Sequence, residues 1–507
     1  MLRGKALSVA IILTAGFEYL LVGYDQGLIG GIISGGPFVE FFNHPSSTMQ
    51  GFIGSSYDVG SFFGAWLTYY IADPLGRKKC IIIGEAIIIV GTIIQVASYS
   101  LAQLIVGRII TGLGNGINSS TIPTWQSELV EAKSRGRSIV FETGILIAGV
   151  ALSFWMGFAT NFTDSSFQWR FPCAVQLIFA VAVFIAIMFL PETPRWLISH
   201  GEYDKALETL ARVAGTDITD EKVIQEAEEI RAVDEHEKAM SKRAGIKDLF
   251  KKNDKEQNLR RMLLGMMPLM MNQISGINAP SYYLPLLLEE SVGLSRQLSL
   301  ILASCAATQY CVFSFLPIFY IDTFGRRKTM IWGSAGLSLF MALIAITNGI
   351  GGYACGVVTT VCFFLFFDVF GMSFLPVSWC YSPEINSLRY RGRGNAAGMA
   401  TQWICNFLIV MITPVGVSNL QYKFYIIWAV INFAFIFMNW AFMVETAGRT
   451  LEEMDGIFER HPGAFATSKE EKSVGRSFDF VDPEQRVATD DKQSIEYVEK
   501  ETPANAN

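Results

Sequence analysis

The chain has 507 residues, of which 51% are hydrophobic and 38 are phenylalanine, and a formal net charge of −6. Apolar runs of about 20 residues, long enough to cross a bilayer as helices, recur along most of its length, and this excludes an ordinary soluble enzyme or a nucleic-acid-binding module. The charge itself says little about partners, because most of the acid lies in two polar segments, 194–258 and the tail after about residue 458.

The first apolar run is long, contains Glu18 and Asp25, and is followed by no small-residue cleavage site. It reads as a retained membrane helix and not a signal peptide. Asp25 sits in Leu21-Val22-Gly23-Tyr24-Asp25-Gln26-Gly27. A carboxylate at membrane depth is costly and marks a functional site. Its natural partner is Arg108, alone in the apolar stretch 101–121. The alternative is that both charges lie near helix ends and snorkel to water.

About twelve spans follow from the hydropathy, centred near Phe17, Phe63, Ile88, Thr111, Gly149 and Phe179, then Met271, Thr308, Leu339, Phe366, Asn406 and Phe433. Arg77-Lys78-Lys79, Lys133 with Arg135 and Arg137, Arg326-Arg327-Lys328, and Arg389 with Arg391 and Arg393 fall in alternate loops. The positive-inside rule then places both termini in the cytoplasm. Asn161-Phe162-Thr163 is a glycosylation sequon in a short loop on the other side. Residues 191–258 read as a cytoplasmic linker with short amphipathic helices, Ala206, Leu207, Leu210 and Val213 standing at helical spacing. The composition of the cytoplasmic tail, within 445–507, reads as largely disordered. Eight cysteines are scattered in or beside apolar runs, with neither a disulfide framework nor a metal-ligand spacing.

An internal repeat organises these spans. Asp73-Pro74-Leu75-Gly76-Arg77-Lys78 answers Asp322-Thr323-Phe324-Gly325-Arg326-Arg327. Glu128 before Arg135-Gly136-Arg137 answers Glu384 before Arg391-Gly392-Arg393, and Glu192-Thr193 answers Glu445-Thr446. Three pairs in one order, each offset by roughly 250 residues, imply two similar six-helix bundles, 1–190 and 259–444, in parallel repeat. The repeated bases either set topology alone or pair with Glu128, Glu192, Glu384 and Glu445 as a cytoplasmic salt-bridge gate. The acids repeat with the bases, which favours the gate.

Three carboxamides, Asn272, Gln273 and Asn278, surround Gly276 ahead of Pro280. Proline removes a helical hydrogen bond and clashes one turn back, so the helix breaks at membrane depth. Amides both donate and accept, which suits a polyhydroxylated ligand. Equally, they suit inter-helix hydrogen bonds. Tyr282 and Tyr283 follow, and Trp379, Gln402, Trp403 and Asn406 add aromatic faces and amides further on. Either tryptophan alone is as well explained by packing. All four histidines lie in loops, so a proton relay needs a carboxylate. Asp25 is the first candidate; Asp58, Glu85, Glu142 and Asp368 also lie in or near spans.

These motifs, with Gly107-Arg108, Pro191-Glu192-Thr193-Pro194-Arg195 and Glu445-Thr446…Gly448-Arg449, resemble the sugar porter family of the major facilitator superfamily over residues 6–458. The segments Gln168-Trp169-Arg170-Phe171-Pro172 and Pro194-Arg195-Trp196-Leu197-Ile198-Ser199 are similar to fungal members, near the glycerol–proton symporters and other hexose and polyol carriers. The resemblance implies an all-α membrane protein working by alternating access, with Gln273, Asn278, Trp379 and Asn406 lining a central sugar site. It implies that Asp25 carries the proton and Arg108 is its partner. Four positions depart from the family pattern: Thr143 stands for a fifth-span glutamine, Asn272 for a glutamine, Ser378 for a proline and Tyr310 for an asparagine. Plain glucose is therefore a poorer expectation than a larger, less polar or acyclic substrate. The expected function is proton-coupled symport of a sugar or polyol across the plasma membrane by a single chain, driven by the proton gradient without a bound cofactor. A passive facilitator and a sugar sensor are the rival readings.

Overall fold

The computed structural model describes residues 2–33, 35–129, 135–241, 257–387, 390–449, 454 and 456–458, and these form helices and turns without a strand. The tail beyond 458, residues 242–256 and the side chains of Arg135 and Arg391 lie outside the described residues.

Twelve spans follow one another, and each expected centre falls in its own span. Six precede the linker: Lys5–Ile32, Ser47–Leu75, Arg77–Val96, Leu101–Leu129, Arg135–Thr160 and Phe167–Phe189. The seventh is assembled from Asn258–Asn272, a π turn at Gln273–Ile277, Asn278–Leu287 and a second π turn at Leu288–Val292. Then come Arg296–Ser314, Arg326–Ile350, the tenth span in two pieces (Tyr353–Met372 and Phe374–Ile385), Arg391–Leu420 and Tyr422–Phe442. Nine of these helices, among the described residues, are long and apolar enough to cross a membrane on composition alone. The other three are the second, fourth and seventh. Glycine, serine, asparagine and glutamine dilute their hydropathy, and these three spans carry most of the polar site described below.

Packing within the first half uses small residues. Gly60 and Gly64 of the second span press on the fourth at Ile109 and Leu113, and Gly112 and Gly116 of the fourth press back on Tyr57 and Ser61. A Cβ on Gly23 of the first span would stand 1.7 Å from the Leu146 carbonyl of the fifth. Without a hydrophobic force between helices in lipid, such close backbone approach supplies the attraction. It also brings Asp25, two residues on, into the interior.

The linker forms the helices Pro194–Ser199, Tyr203–Ala214 and Glu221–Ser241. Leu197, Ala206, Leu210, Val223 and Ala227 make a small core between them. The Gly4 N–H donates to the Arg212 carbonyl at 2.7 Å, docking the N-terminus on this layer. The end of the molecule with the N-terminus, the linker helices and the repeated arginines is the basic face, and the opposite end the far face.

Candidate functional site

Asp25 and Arg108 form an ion pair at 3.2 Å with side-chain exposures of 1% and 0%. Neither snorkels. The second terminal nitrogen of Arg108 donates to the Gly54 carbonyl at 3.2 Å, and the guanidinium lies over the Tyr57 ring, 5.5 Å from its centroid. Asp25 Oδ2 and Arg108 Nε are buried without a hydrogen-bond partner. A buried pair is stable only when its remaining polar atoms are satisfied. This one is held from one side, and loss of either charge leaves the other uncompensated.

Gly54 is also the point where the seventh span presses on the second. A Cβ there would stand 2.3 Å from the Tyr283 hydroxyl. One turn further along the second span, Asp58 is fully buried and joins the two halves. Its Oδ1 accepts from Asn406 Nδ2 at 3.0 Å and from the Tyr282 hydroxyl at 3.4 Å. Asn406 Nδ2 also donates to the Tyr282 hydroxyl at 3.2 Å. Arg108 and Asp25 both act electrostatically on Asp58. The ion pair and the inter-half node are therefore neighbours along one turn of one helix.

The seventh span breaks where Gly276 takes φ 88 and ψ 9. A side chain at Gly276 would run into Trp428 of the twelfth span, 2.8 Å away. The break turns the amides toward one another. Gln273 Nε2 donates to Asn272 Oδ1 at 3.1 Å, Asn278 Nδ2 donates to Gln273 Oε1, and Asn272 Nδ2 reaches the Phe374 carbonyl at 3.3 Å. Ser378 donates to the Phe374 and Pro268 carbonyls, at 2.7 and 3.0 Å, and so fixes the tenth span to the seventh.

Among the described residues, Tyr283 Oη, Trp403 Nε1, Gln402 Oε1, Asn406 Oδ1 and Asp58 Oδ2 are buried without a hydrogen-bond partner. Buried polar groups are nearly always paired, so this set has capacity for a hydroxyl-rich solute. Trp403 also packs edge-on against Tyr57, with centroids 6.4 Å apart. Trp379 is half-buried on the tenth span. Thr143 is buried, but its hydroxyl donates to its own helix, at the Ile139 and Val140 carbonyls, 2.9 and 3.0 Å away. The neighbouring Glu142 accepts from Gln126 at 2.7 Å. Sequence reasoning noted Asp58 without a role. Its place opposite Asn406 depends on a pairing between the second and eleventh spans that no local pattern encodes.

On the basic face the repeat becomes geometry. Gly76 has φ 88 and ψ 162, and Gly325 has φ 92 and ψ 160. Each precedes a span whose first N–H groups point at a carboxylate. Glu192 accepts from the N–H groups of Arg77 and Lys78 at 3.2 and 3.0 Å. Glu445 accepts from those of Arg326 and Arg327 at 2.7 and 3.1 Å. A carboxylate at a helix N-terminus is stabilised by the unsatisfied N–H groups and the helix dipole. Burial raises the Glu192 carboxyl above its ordinary range, while the N–H groups of Thr193, Lys78 and Arg77 and the Arg77 charge pull it back. Arg77 reaches Glu128 at 3.4 Å, and Arg326 reaches Glu384 at 2.9 Å. Each of these ion pairs joins helices of a single half, so they brace the halves separately. Arg135 and Arg391, expected in the same clusters, have side chains outside the described residues.

At Gly325 a Cβ would stand 2.4 Å from Glu445 Oε2, in a backbone region that L-residues avoid. Strain of this kind is worth about 1–3 kcal/mol. Gly325→Ala should lower the unfolding temperature of the purified protein in detergent by several degrees, and an unchanged midpoint would disprove the assigned contact.

On the far face the halves touch directly. Arg296 Nε donates to Asn161 Oδ1 at 2.8 Å, and its Nη2 reaches the Gly31 carbonyl at 3.4 Å. Cβ atoms on Gly30 and Gly51 would stand 2.1 Å from the Tyr282 carbonyl and 2.4 Å from the Met411 carbonyl.

The family model described as "Sugar (and other) transporter" matches residues 10–458. The MFS-type transporter oryC of Aspergillus oryzae is 39% identical over 475 residues, covering 92% of this chain and 88% of its own. The sugar transporter STL1 of Saccharomyces cerevisiae is 34% identical over 474 residues, covering 90% of this chain and 82% of its own. Among solved structures, the proton:xylose symporter XylE bound to 6-bromo-6-deoxy-D-glucose aligns with a TM-score of 0.73 at 23% identity, over 90% of this chain and 100% of that one. At that identity the likeness concerns the fold: two six-helix bundles of the major facilitator type.

Proposed function

Because the chain belongs to the sugar transporter family of the major facilitator superfamily, we propose that it is a proton-coupled symporter of a sugar or polyol. It is a transporter and not an enzyme. The observation that carries the reading is the buried, half-satisfied Asp25–Arg108 pair one helical turn from the node where Asp58 meets Tyr282 and Asn406. Asp25 pairs with Arg108 only when ionised, and a proton on Asp25 removes the charge that holds the guanidinium. Protonation from outside releases Arg108, sugar binds, and the loaded carrier turns inward. Proton loss to the cytoplasm restores the pair and resets the carrier. The proton gradient is the driving force, and no bound cofactor is required.

Substrate hydroxyls meet the amides Asn272, Gln273, Asn278 and Asn406, the Tyr283 hydroxyl and the indoles of Trp379 and Trp403. The bundles 1–190 and 259–444 are the moving bodies, and the linker and tail lie in the cytoplasm. With the basic face in the cytoplasm of a plasma-membrane carrier, contacts at Arg296, Gly30 and Gly51 close the outer side. One chain makes the complete path.

The deciding experiment is uptake of labelled sugars and polyols by cells lacking their own carriers, with and without a protonophore. Accumulation that the protonophore abolishes is expected. Uptake that only equilibrates would make the chain a facilitator, and regulated signalling without uptake a sensor. Gln273→Ala, Asn278→Ala and Trp379→Ala should each raise the half-saturating concentration several-fold at unchanged surface expression. One buried hydrogen bond contributes about 0.5–1.5 kcal/mol net. Wild-type affinity in all three would move the site elsewhere. For orientation, a thiol introduced by Ala232→Cys, exposed on the linker helix Glu221–Ser241, should resist impermeant reagents in intact cells and react once the membrane is opened. Reaction in sealed cells would invert the topology.

A further inference from the structure

Two buried acids remain outside this mechanism. Glu18 of the first span and Glu85 of the third are 1% and 0% exposed. Their carboxyls interact with each other side chain to side chain. Asn118 Nδ2 donates to Glu85 Oε1 at 2.9 Å. Gly84 lets it come so close, because a Cβ there would stand 2.0 Å from Asn118 Oδ1. Among the described residues, no donor reaches either oxygen of Glu18 or Oε2 of Glu85, and all three are buried. Two ionised carboxylates are acceptors only and cannot bond each other. Like charges sharing one dry site cannot both ionise.

We propose that Glu18 and Glu85 form a second proton-binding site, in which one proton is shared between the two carboxyls. The ligand is a proton, donated by one carboxyl oxygen and accepted by the other, with Asn118 fixing which oxygen faces inward. Glu18 lies seven residues before Asp25, about 10 Å along the helix toward the basic face. Glu18 acts electrostatically on Tyr19 beside it and on Tyr57 of the second span; Glu142 of the fifth also acts on Tyr19, and Asp25 and Arg108 on Tyr57. Leu21, Ile88, Phe179 and Ala180 close the third and sixth spans around the first with apolar side chains. Within this set no cation lies nearer to Glu18 and Glu85 than Arg108, which Asp25 already engages. The shared proton leaves the pair with a single negative charge in place of two.

The inference rests on the proposed symport only for its role in transport; the bound proton itself does not depend on it. The test is infrared difference spectroscopy on the purified full-length protein, reading the carbonyl stretch of protonated carboxyls and its shift in heavy water. A protonated-carboxyl band that persists in Asp25→Asn and is lost in both Glu18→Gln and Glu85→Gln is expected. In sealed vesicles, Asp25→Asn should keep a residual pH dependence of sugar exchange, and adding Glu18→Gln should flatten it. A band unchanged by either glutamine variant overturns the proposal, whichever of the two variants folds. An Asp25→Asn carrier whose exchange is already independent of pH overturns the site's role in transport. Failure of wild-type accumulation with the band intact would overturn symport and leave the proton site standing.

Discussion

Asp25→Asn is expected to abolish protonophore-sensitive accumulation of sugar while leaving exchange of sugar across the membrane in place. The amide has the shape of the protonated acid and cannot lose a proton. The variant is therefore fixed in the form that releases Arg108, and the carrier exchanges sugar without the Asp25 proton driving it. Arg108→Ala removes the other half of the pair and leaves Asp25 as a buried charge without a counter-ion. Breaking a buried pair from one side costs about 3–5 kcal/mol. Asp25 then stays protonated, coupling is lost, and less protein reaches the surface. The measurement is concentrative uptake at acidic and neutral external pH in sealed vesicles, normalised to carrier present. If asparagine at position 25 still accumulates sugar against its gradient, the coupling acid is elsewhere, and Glu142, bonded to Gln126 at 2.7 Å, is the next to change.

Much of this architecture could be read from the sequence because membranes leave few options. Backbone groups must be satisfied within each span, so hydropathy locates most of the spans, and the motif repeat relates the halves. The Gly-Arg turns were legible for the same reason: Gly76 and Gly325 hold positive φ, and the acids that fill the space beside them repeat at matching positions. The break in the seventh span was legible from Pro280 and Gly276. What stayed hidden were contacts between distant spans. Nothing local to Asp58 points at Asn406, 348 residues away, and nothing local to Glu18 points at Glu85. The ion pairs of the basic face were legible as a set of bases and acids, and their individual pairing was not. Charge patterns reveal that Arg326 needs an acid, but not that Glu384, on its own half, supplies it at 2.9 Å.

Asp58→Ala should shift the carrier away from the state closed on the far face, and more strongly than Asp58→Asn. In the structure one carboxylate oxygen of the first half holds both Asn406 Nδ2 and the Tyr282 hydroxyl of the second half. A buried hydrogen bond contributes about 0.5–1.5 kcal/mol net, so loss of the two together shifts the balance of states about tenfold. Asparagine keeps an acceptor oxygen and gives up only the charge. Alanine leaves Asn406 and Tyr282 bonded to each other, at 3.2 Å, with no link to the first half. The reporter is Ser55→Cys in a background without the native cysteines. Ser55 is fully buried, with its hydroxyl 3.7 Å from Met411 Sδ across the seam between the halves. An impermeant thiol reagent supplied from outside should reach it slowly with Asp58 intact and much faster with alanine there. Equal rates would mean that Asp58 does not latch the halves. The coupling model ties this latch to the proton: Arg108, released by a protonated Asp25, is one turn from Asp58 and competes for its charge. Asp25→Asn should therefore raise the same labelling rate, and combining it with Asp58→Ala should add little further.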